Sequence, residues 1–244
     1  MLTIRGFHAV REALDAAPRR IRKILLAEGK LDPRTREITA LARSYGIPVY
    51  REPRERLGRF GEHHQGVVAE LSGFEWRDLD ELLAAASKPE FFLALDQVED
   101  PRNLGAIVRT ADGAGVHGIV VPERRSAPPS EAAMAASAGA LLHAPMARVT
   151  NLSDAIADLK ERGLWVVGLA PSAREPWFSF DFRVPVVLVV GSEGRGLRPR
   201  VASGCDVLVS LPQRGSIESL NVSVAAGIVL YEVVRQRGDP ALTT

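Results

Sequence analysis

The chain has 244 residues, 46% of them hydrophobic, which is enough for one large domain or for a small and a medium-sized one. No stretch approaches the ~18 apolar residues of a membrane span and the N-terminus lacks a signal-peptide core, so no membrane partner and a cytoplasmic location are expected. The single cysteine, Cys205, excludes an internal disulfide framework, and the scattered histidines predict that no metal is bound.

Residues 1–71 predict a small α/β unit with a basic surface. Helices are expected in HAVREALDAA and PRTREITALARSYG, strands in RKILLA and IPVYRE, and the apolar run GVVAEL ends the unit. This part carries 14 Lys and Arg against 9 Asp and Glu, whereas residues 72–244 carry 17 against 21. The surplus is compatible with nucleic-acid contact, and a solvated surface without a partner is the alternative.

A connector with one short helix is expected over residues 72–89, and residues 90–244 then alternate strands with helices. Strands are predicted in FFLALDQV, GIVVP, LWVVGLA, VPVVLVV and DVLVSLP, and helices in NLGAIVRTADGAG, SEAAMAASAGALL, LSDAIADLKERG and SLNVSVAAGIVLYEVVRQR. Near-continuous apolar strands separated by helices predict a parallel sheet covered on both faces, which is a doubly wound α/β fold.

The segment GAGVHG matches the spacing of a dinucleotide-binding fingerprint, but its context is wrong for one. That fingerprint follows a strand and opens a helix, whereas Gly113 and Gly115 end a predicted helix and lead into GIVVP. We therefore interpret both glycines as helix-capping and turn residues, which argues against a dinucleotide-dependent oxidoreductase.

Two segments leave predicted strands at the sheet edge where open α/β folds bind ligands. In DPRNLGAIVRTA, Asn103 can cap the helix, Gly105 admits a close neighbour, and Arg109 can reach a phosphate or carboxylate. In VVGSEGRGL, three glycines can point backbone amides at a ligand, with Glu193 among them. The alternatives are an exposed arginine on an amphipathic helix and a tight turn.

The segment GSIESLNVSVAAGIVLYEVV begins polar and continues as an apolar helix. One polar residue suffices to cap a helix, yet Ser219, Asn221 and Ser223 alternate at its start, ahead of the small residues 225–227. The pattern is typical either of a cap alone or of a ligand site at the beginning of a closely packed helix.

In this order, NLGAIVRTA, VVGSEGRGL and LPQRGSIESLNVSVAAGIVLYE resemble the three motifs of the SpoU-type RNA ribose 2′-O-methyltransferases of the SPOUT superfamily. The resemblance covers residues 91–237. The N-terminal unit, with GFHAVREAL and HHQGVVAEL, is similar to the L30e-like substrate-binding domain of the bacterial 23S rRNA guanosine 2′-O-methyltransferases of this family. One departure is visible, because many relatives have Met after the proline of the third motif and this chain has Gln213.

The resemblance implies a homodimer that acts on RNA, rather than on DNA, with S-adenosylmethionine as the methyl donor. It implies a SPOUT fold with a C-terminal trefoil knot, which topology rules alone do not predict. By the same resemblance Gly191, Leu211 and Leu220 hold the cofactor. The catalytic or substrate-positioning residues that it implies are Arg109, Glu193, Ser219 and Asn221.

A guanidinium is a poor proton acceptor at neutral pH, so we expect Arg109 to grip a phosphate and stabilise alkoxide charge rather than act as the base. Single-stranded loops are the expected target because an unstacked ribose is accessible. A tRNA 2′-O-methyltransferase, an antibiotic-resistance ribosomal methyltransferase and a non-catalytic rRNA-binding assembly factor remain alternatives at this point.

Overall fold

The computed structural model describes residues 2–29, 32–61, 64–216 and 219–238, and its first part is built on a four-stranded sheet. The strand order is β1-β4-β2-β3, in which β4 runs antiparallel to both β1 and β2, and β3 runs parallel to β2. The strands are β1 (Leu2–Arg5), β2 (Ile21–Ala27), β3 (Val49–Glu52) and β4 (Val67–Leu71), and the helices are α1 (Phe7–Ala16), α2 (Pro33–Ser44) and α3 (Arg54–Leu57).

The second part is a seven-stranded sheet in which every described strand pair is parallel, as the alternating pattern predicts. Its order is β7-β6-β5-β10-β8-β11-β9. The strands are β5 (Phe91–Leu95), β6 (Gly118–Pro122), β7 (Met146–Val149), β8 (Trp165–Leu169), β9 (Glu175–Pro176), β10 (Val186–Val190) and β11 (Val207–Ser210). The helices are α4 (Leu79–Ala85), α5 (Pro101–Gly113), α6 (Glu131–Ala136), α7 (Leu152–Glu161), α8 (Pro199–Gly204) and α9 (Val222–Arg237).

Helices cover both faces of the seven-stranded sheet, because its strands are apolar on both sides. Alternate residues of β10 point to opposite faces: Val186, Leu188 and Val190 join the core under α5 and α9, and Val187 and Val189 join the core under α7 and α8. The predicted doubly wound α/β class is therefore confirmed. Among the described helices, none is both long and apolar enough to cross a membrane.

The segment predicted as one helix over SEAAMAASAGALL is interrupted. Helix α6 stops at Ala136, and Ala138 and Gly139 both have positive φ (48° and 96°) before a short 3-10 turn over residues 140–142. Strands β1, β7 and β9 and helices α3 and α8 were not predicted. These elements are only two to six residues long, so they carry little periodicity.

The two sheets share an interface that combines apolar and ionic contacts. On β1, the Thr3 hydroxyl donates to the carboxylate of Glu131 on α6, and Arg5 Nη2 lies 2.7 Å from Glu131 Oε2. Leu2 and Ile4 belong to the same core cluster as Met134 and Leu141. The interface therefore holds the basic N-terminal sheet against α6, and the division at residues 71 and 90 stays a prediction.

Candidate active site

The candidate site lies where the central strands β5 and β10 end side by side. Asp96 directly follows β5 and is fully buried, and its backbone N–H donates to Val190 O of β10 over 2.8 Å. Its carboxylate accepts from the backbone N–H of Arg198 (2.8 Å) and from Arg198 Nε (2.6 Å). A buried carboxylate requires such partners, and this pair fixes the far end of the glycine-rich loop that follows β10.

The loop over residues 191–197 closes on itself as a tight turn. The backbones of Ser192 and Gly196 exchange two hydrogen bonds of 3.0 and 3.1 Å, and Gly194 and Gly196 have φ of 82° and 67°. A side chain at Gly191 would overlap the backbone of Gly196. The sequence left open whether these glycines form a tight turn or a ligand-binding loop. In the structure they form a tight turn that also lines a cavity.

That cavity brings together the glycine-rich loop and the segment before α9. Gly191, Leu211 and Leu220, which the family resemblance implies as cofactor contacts, all line it. Its other walls are Leu169, Pro171, Val190, Ser192, Glu193, Gly194, Gly196, Gln213, Ser219, Val222 and Ala225. Gln213, which stands where many relatives have Met, donates to Leu211 O over 3.3 Å.

Asn103 joins the three motif segments through its side-chain amide. Its Nδ2 donates to Glu193 Oε2 over 3.1 Å, and its Oδ1 accepts from Asn221 Nδ2 over 3.0 Å. Asn221 Oδ1 in turn caps α9 by accepting from the backbone N–H of Ser223 (2.9 Å). The polar start of α9 is therefore both a helix cap and part of a side-chain network.

The structure corrects one expectation about the segment that carries Asn103, the helix cap, and confirms another, the close neighbour of Gly105. The cap of α5 is Asp100, whose carboxylate accepts from the Arg102 N–H over 2.8 Å, so Asn103 lies within the helix and does not cap it. The close neighbour of Gly105 is α6, because a Cβ there would overlap Ala133 O and lie 2.7 Å from Ala136 Cβ. By contrast, Gly113 ends α5 and Gly115 has a φ of 71°, as predicted for turn residues.

Arg109 lies on the same helix as Asn103 but is exposed. It follows Asn103 by six residues, which is about 9 Å along the helix axis. No hydrogen bond or ion pair joins its side chain to Glu193, Ser219 or Asn221 in the described part of one chain. Its guanidinium is therefore available to a ligand or to a second copy of the chain.

Sequence reasoning missed the roles of Asp96, Arg198 and Asn103 in this site. The sequence signal for Asp96 was a carboxylate directly after the apolar run FFLAL. The signal for the N-cap of α5 was Asp100 followed by Pro101, which is a typical helix start. No sequence signal pairs Asn103 with Glu193 or Asn221, which follow it by 90 and 118 positions, because these contacts depend on the tertiary fold.

The cavity has the chemistry that S-adenosylmethionine needs. Apolar walls from Leu169, Leu211 and Leu220 suit an adenine ring, and the glycine-rich loop offers backbone amides and carbonyls. Ser219 and Glu193 are polar groups at its exposed rim. Among the described residues, no group of three or more His, Cys, Asp or Glu side chains could hold a metal ion.

Two family models match the chain. The SpoU rRNA methylase family model matches residues 90–231, and a model described as the RNA 2′-O ribose methyltransferase substrate-binding domain matches residues 3–77.

Relatives and solved structures give the same result. The chain is 44% identical to the 23S rRNA (guanosine-2′-O-)-methyltransferase RlmB of Pseudomonas aeruginosa, covering 95% of each protein. It is also 44% identical to YacO of Bacillus subtilis, named as a TrmH family tRNA/rRNA methyltransferase, covering 95% of this chain and 94% of that protein. The AdoMet-bound rRNA methyltransferase from Sinorhizobium meliloti superposes with a TM-score of 0.83 at 28% identity, covering 98% of this chain and 88% of that one.

Proposed function

Because this chain belongs to the SpoU rRNA methylase family, we propose that it transfers a methyl group from S-adenosylmethionine to the 2′-hydroxyl of a guanosine ribose in 23S rRNA. The observation that carries the proposal is the network of Glu193, Asn103 and Asn221, which joins three motif segments beside a glycine-lined cavity. RNA as the substrate class is further supported by the substrate-binding model over residues 3–77.

The division of labour between the two parts of the chain follows from the same assignment. Residues 1–71 carry the basic surplus and bind RNA, residues 72–89 connect, and residues 90–244 hold the cofactor and the reacting ribose. Gly191, Leu211 and Leu220 contact the cofactor, and the chain around them is threaded as a trefoil knot. Support for the knot is that the glycine-rich loop after β10 and the residues Leu211, Gln213, Ser219 and Leu220 before α9 line one cavity.

Bound S-adenosylmethionine supplies an electrophilic methyl group for an in-line displacement. The residues of this chain have to hold the ribose hydroxyl in line and compensate the charge that develops on its oxygen. Asn103 fixes the carboxylate of Glu193 and the amide of Asn221 on either side of it, and Ser219 supplies a hydroxyl at the cavity rim. These four side chains orient the ribose by hydrogen bonds.

Arg109 contributes charge rather than proton transfer. A guanidinium keeps its protons at neutral pH, so it binds the phosphate next to the target ribose and stabilises the developing alkoxide, and the proton leaves to water or to a neighbouring group. Lysine cannot reproduce the planar fork. An Arg109→Lys variant that keeps nearly full activity would contradict this role.

The chain acts as a homodimer through one face of α9. Val224, Ile228 and Tyr231 are 50%, 36% and 52% exposed and form a stripe along that helix. The Tyr231 hydroxyl lies 3.2 Å from where a Gly113 side chain would begin, and Arg109 lies one turn before Gly113 on α5. A partner that covers this stripe therefore comes close to Arg109.

The test is transfer of labelled methyl from S-adenosylmethionine to unmodified 23S rRNA and, separately, to bulk tRNA. Product is mapped by its resistance to alkaline cleavage, because a 2′-O-methyl group blocks that cleavage. Label on a 23S guanosine is the expected result. Label on tRNA alone would keep the chemistry and overturn the substrate, and bound cofactor without transfer to either RNA would favour a non-catalytic assembly factor.

A further inference from the structure

A second cleft, outside the candidate active site, collects three arginine side chains and one histidine from three parts of the chain. Its walls come from the end of α1 and the turn after it (residues 16–20), from residues 74, 75 and 77 of the connecting segment, and from residues 142–144. Arg19, Arg20, Arg77 and His143 line it, against one lining carboxylate, Glu75. We call it the basic cleft.

The most unusual side chain in the basic cleft is Arg20, which is only 8% exposed. Its Nη1 donates to Leu142 O over 2.6 Å, and its guanidinium carbon lies 5.4 Å from the centre of the Phe74 ring. Its Nε and Nη2 are buried and have no hydrogen-bond partner among the described residues. Buried N–H groups without a partner are unfavourable, and an anion in the cleft would satisfy them.

The surroundings of Arg20 reinforce the need for an anion. Burial lowers the pKa of Arg20 from its ordinary value, which expresses the free energy spent in removing its charge from water, and Glu75 only partly opposes this. Arg19 and Arg77 are exposed and form no ion pair in the described part of the chain, so both are free to bind the same ligand. The planar guanidinium fork matches phosphate oxygens better than any other side chain.

The basic cleft is connected to the candidate active site along α5. His143 Nε2 lies 3.2 Å from Asp112 Oδ1, and Asp112 follows Arg109 by three residues on that helix. Side chains three apart on a helix are neighbours on its surface. An extended polyanion that lies in the basic cleft can therefore continue past Asp112 and His143 to Arg109.

We propose that the basic cleft binds a backbone phosphate of the RNA substrate, gripped by Arg19 and Arg77 and by the free N–H groups of Arg20. The inference rests on the proposed function in taking RNA as the ligand. The Phe74 ring lies over the Arg20 guanidinium, and it must turn aside when the phosphate enters. The backbone on either side of it is held by the Ser72 N–H, which donates to Arg20 O over 2.7 Å, and by the Arg77 N–H, which donates to Met146 O over 2.8 Å. Residues 73–76 between them form neither helix nor strand, so the ring has to give up its edge contact with Trp76 but no regular backbone hydrogen bonding. A phosphate held there fixes the RNA relative to both sheets at once.

The test measures the affinity of the full-length protein for an unmodified 23S rRNA transcript as a function of salt. Arg19→Gln and Arg77→Gln are made singly and together, and Arg200→Gln is the matched control. Arg200 is exposed on α8, which packs on α7 against the other face of the sheet. Each phosphate contact contributes about 0.7 to 0.9 to the slope of log binding constant against log salt. We expect the slope of the double variant to be smaller by about 0.7 to 0.9 and its Kd for the transcript to be roughly tenfold higher at low salt. Arg200→Gln should change neither the slope nor the Kd.

Two further readouts separate this phosphate site from structural effects and from the proposed function. A thermal melt first establishes that Arg20→Gln folds. This variant should then lose the same share of the salt-dependence slope as the double variant. The affinity for S-adenosylmethionine should be unchanged in all variants. If the double variant shows the same salt-dependence slope and the same Kd as the Arg200→Gln control, the phosphate site is overturned, even if the wild type methylates rRNA. Conversely, a wild type that shows the cleft-dependent slope but transfers no methyl keeps the phosphate site and removes the proposed function.

Discussion

Asn103 uses both ends of its amide, and among the described residues of the site no other side chain links all three motif segments. It bonds one charged and one neutral partner, and a hydrogen bond to a charged group is worth about 1.5–3 kcal/mol. Its position within α5 tolerates alanine, the best helix former. Function and stability can therefore be separated at this residue.

We predict that Asn103→Ala lowers kcat for methyl transfer about 10- to 100-fold, since Glu193 and Asn221 lose their common partner. The melting temperature should change little. The control is Asn151→Ala: Asn151 caps α7 and bonds Asp154, so its loss should destabilise the fold by about 1 kcal/mol and spare kcat. In a double-mutant cycle, Asn103→Ala and Asn221→Ala should be clearly non-additive, and additive losses would show that the two amides act independently.

His117 makes stability depend on pH near neutrality. Burial, with a further contribution from Arg237, lowers the pKa of His117 below its ordinary value of 6.5. Its neutral Nδ1 accepts from the Phe91 N–H (3.0 Å), and Nε2 lies 2.8 Å from the Ser87 hydroxyl. The folded state therefore favours the neutral ring, and burial lowers the pKa of His64 in the same direction.

We predict that the free energy of unfolding is greatest above pH 6.5 and falls as the pH drops below it, because the unfolded chain then binds the proton more readily. The decline continues down to the lowered pKa of the folded state. Urea unfolding between pH 5 and 8 measures this, and His117→Gln should flatten the decline. An unaltered decline in His117→Gln would assign the effect to other groups.

At the scale of elements, close packing between α5 and α6 sets the position of Asn103. Gly105 has no room for a side chain, whereas Gly227 on α9 has its nearest neighbour, Thr110 Cγ2, at an ordinary 3.5 Å from where a Cβ would lie. Both glycines lie inside helices, so alanine improves helix propensity at each by roughly 1 kcal/mol. Only the packing differs.

We predict that Gly105→Ala destabilises the protein by about 1–3 kcal/mol net and lowers methyl transfer, because α5 must shift away from the backbone of α6. Gly227→Ala should be neutral or stabilising by up to about 1 kcal/mol. Denaturant unfolding of both variants measures the difference. Equal stability of the two would show that α6 yields to the added methyl group.

The elements that the sequence predicts are those with long apolar periodicity. The central strands and α5, α7 and α9 were found because burial on both faces of a sheet, or on one face of a helix, leaves a clear pattern. Short elements such as β1, at Leu2–Arg5, leave none, and the break after Ala136 depends on two consecutive left-handed residues, 138 and 139. The cavity residues were predicted by resemblance, whereas the Asn103 contacts required the fold itself.

At the scale of the whole molecule, the exposed stripe on α9 determines whether one chain is sufficient for activity. Val224, Ile228 and Tyr231 follow directly after the Asn221 cap, so a surface that covers them lies beside the cavity rim. Arg109 is near the same stripe but bonds none of the other candidate site residues within the described chain. A homodimer would bury the stripe and bring a second copy close to Arg109.

We predict that the wild-type protein sediments as a dimer at micromolar concentration and that Ile228→Glu is a monomer. An unpaired charge in the centre of an apolar interface costs about 3 kcal/mol, which raises the dissociation constant more than about a hundredfold. The matched control is Phe178→Glu, because Phe178 is 56% exposed on the segment after β9, outside the stripe, and should leave the dimer intact. Methyl transfer by Ile228→Glu should fall together with dimerisation and recover at high protein concentration. A wild type that methylates RNA as a monomer, or a fully active Ile228→Glu monomer, would show that one chain contains the complete site and that Arg109 reaches the RNA without a partner.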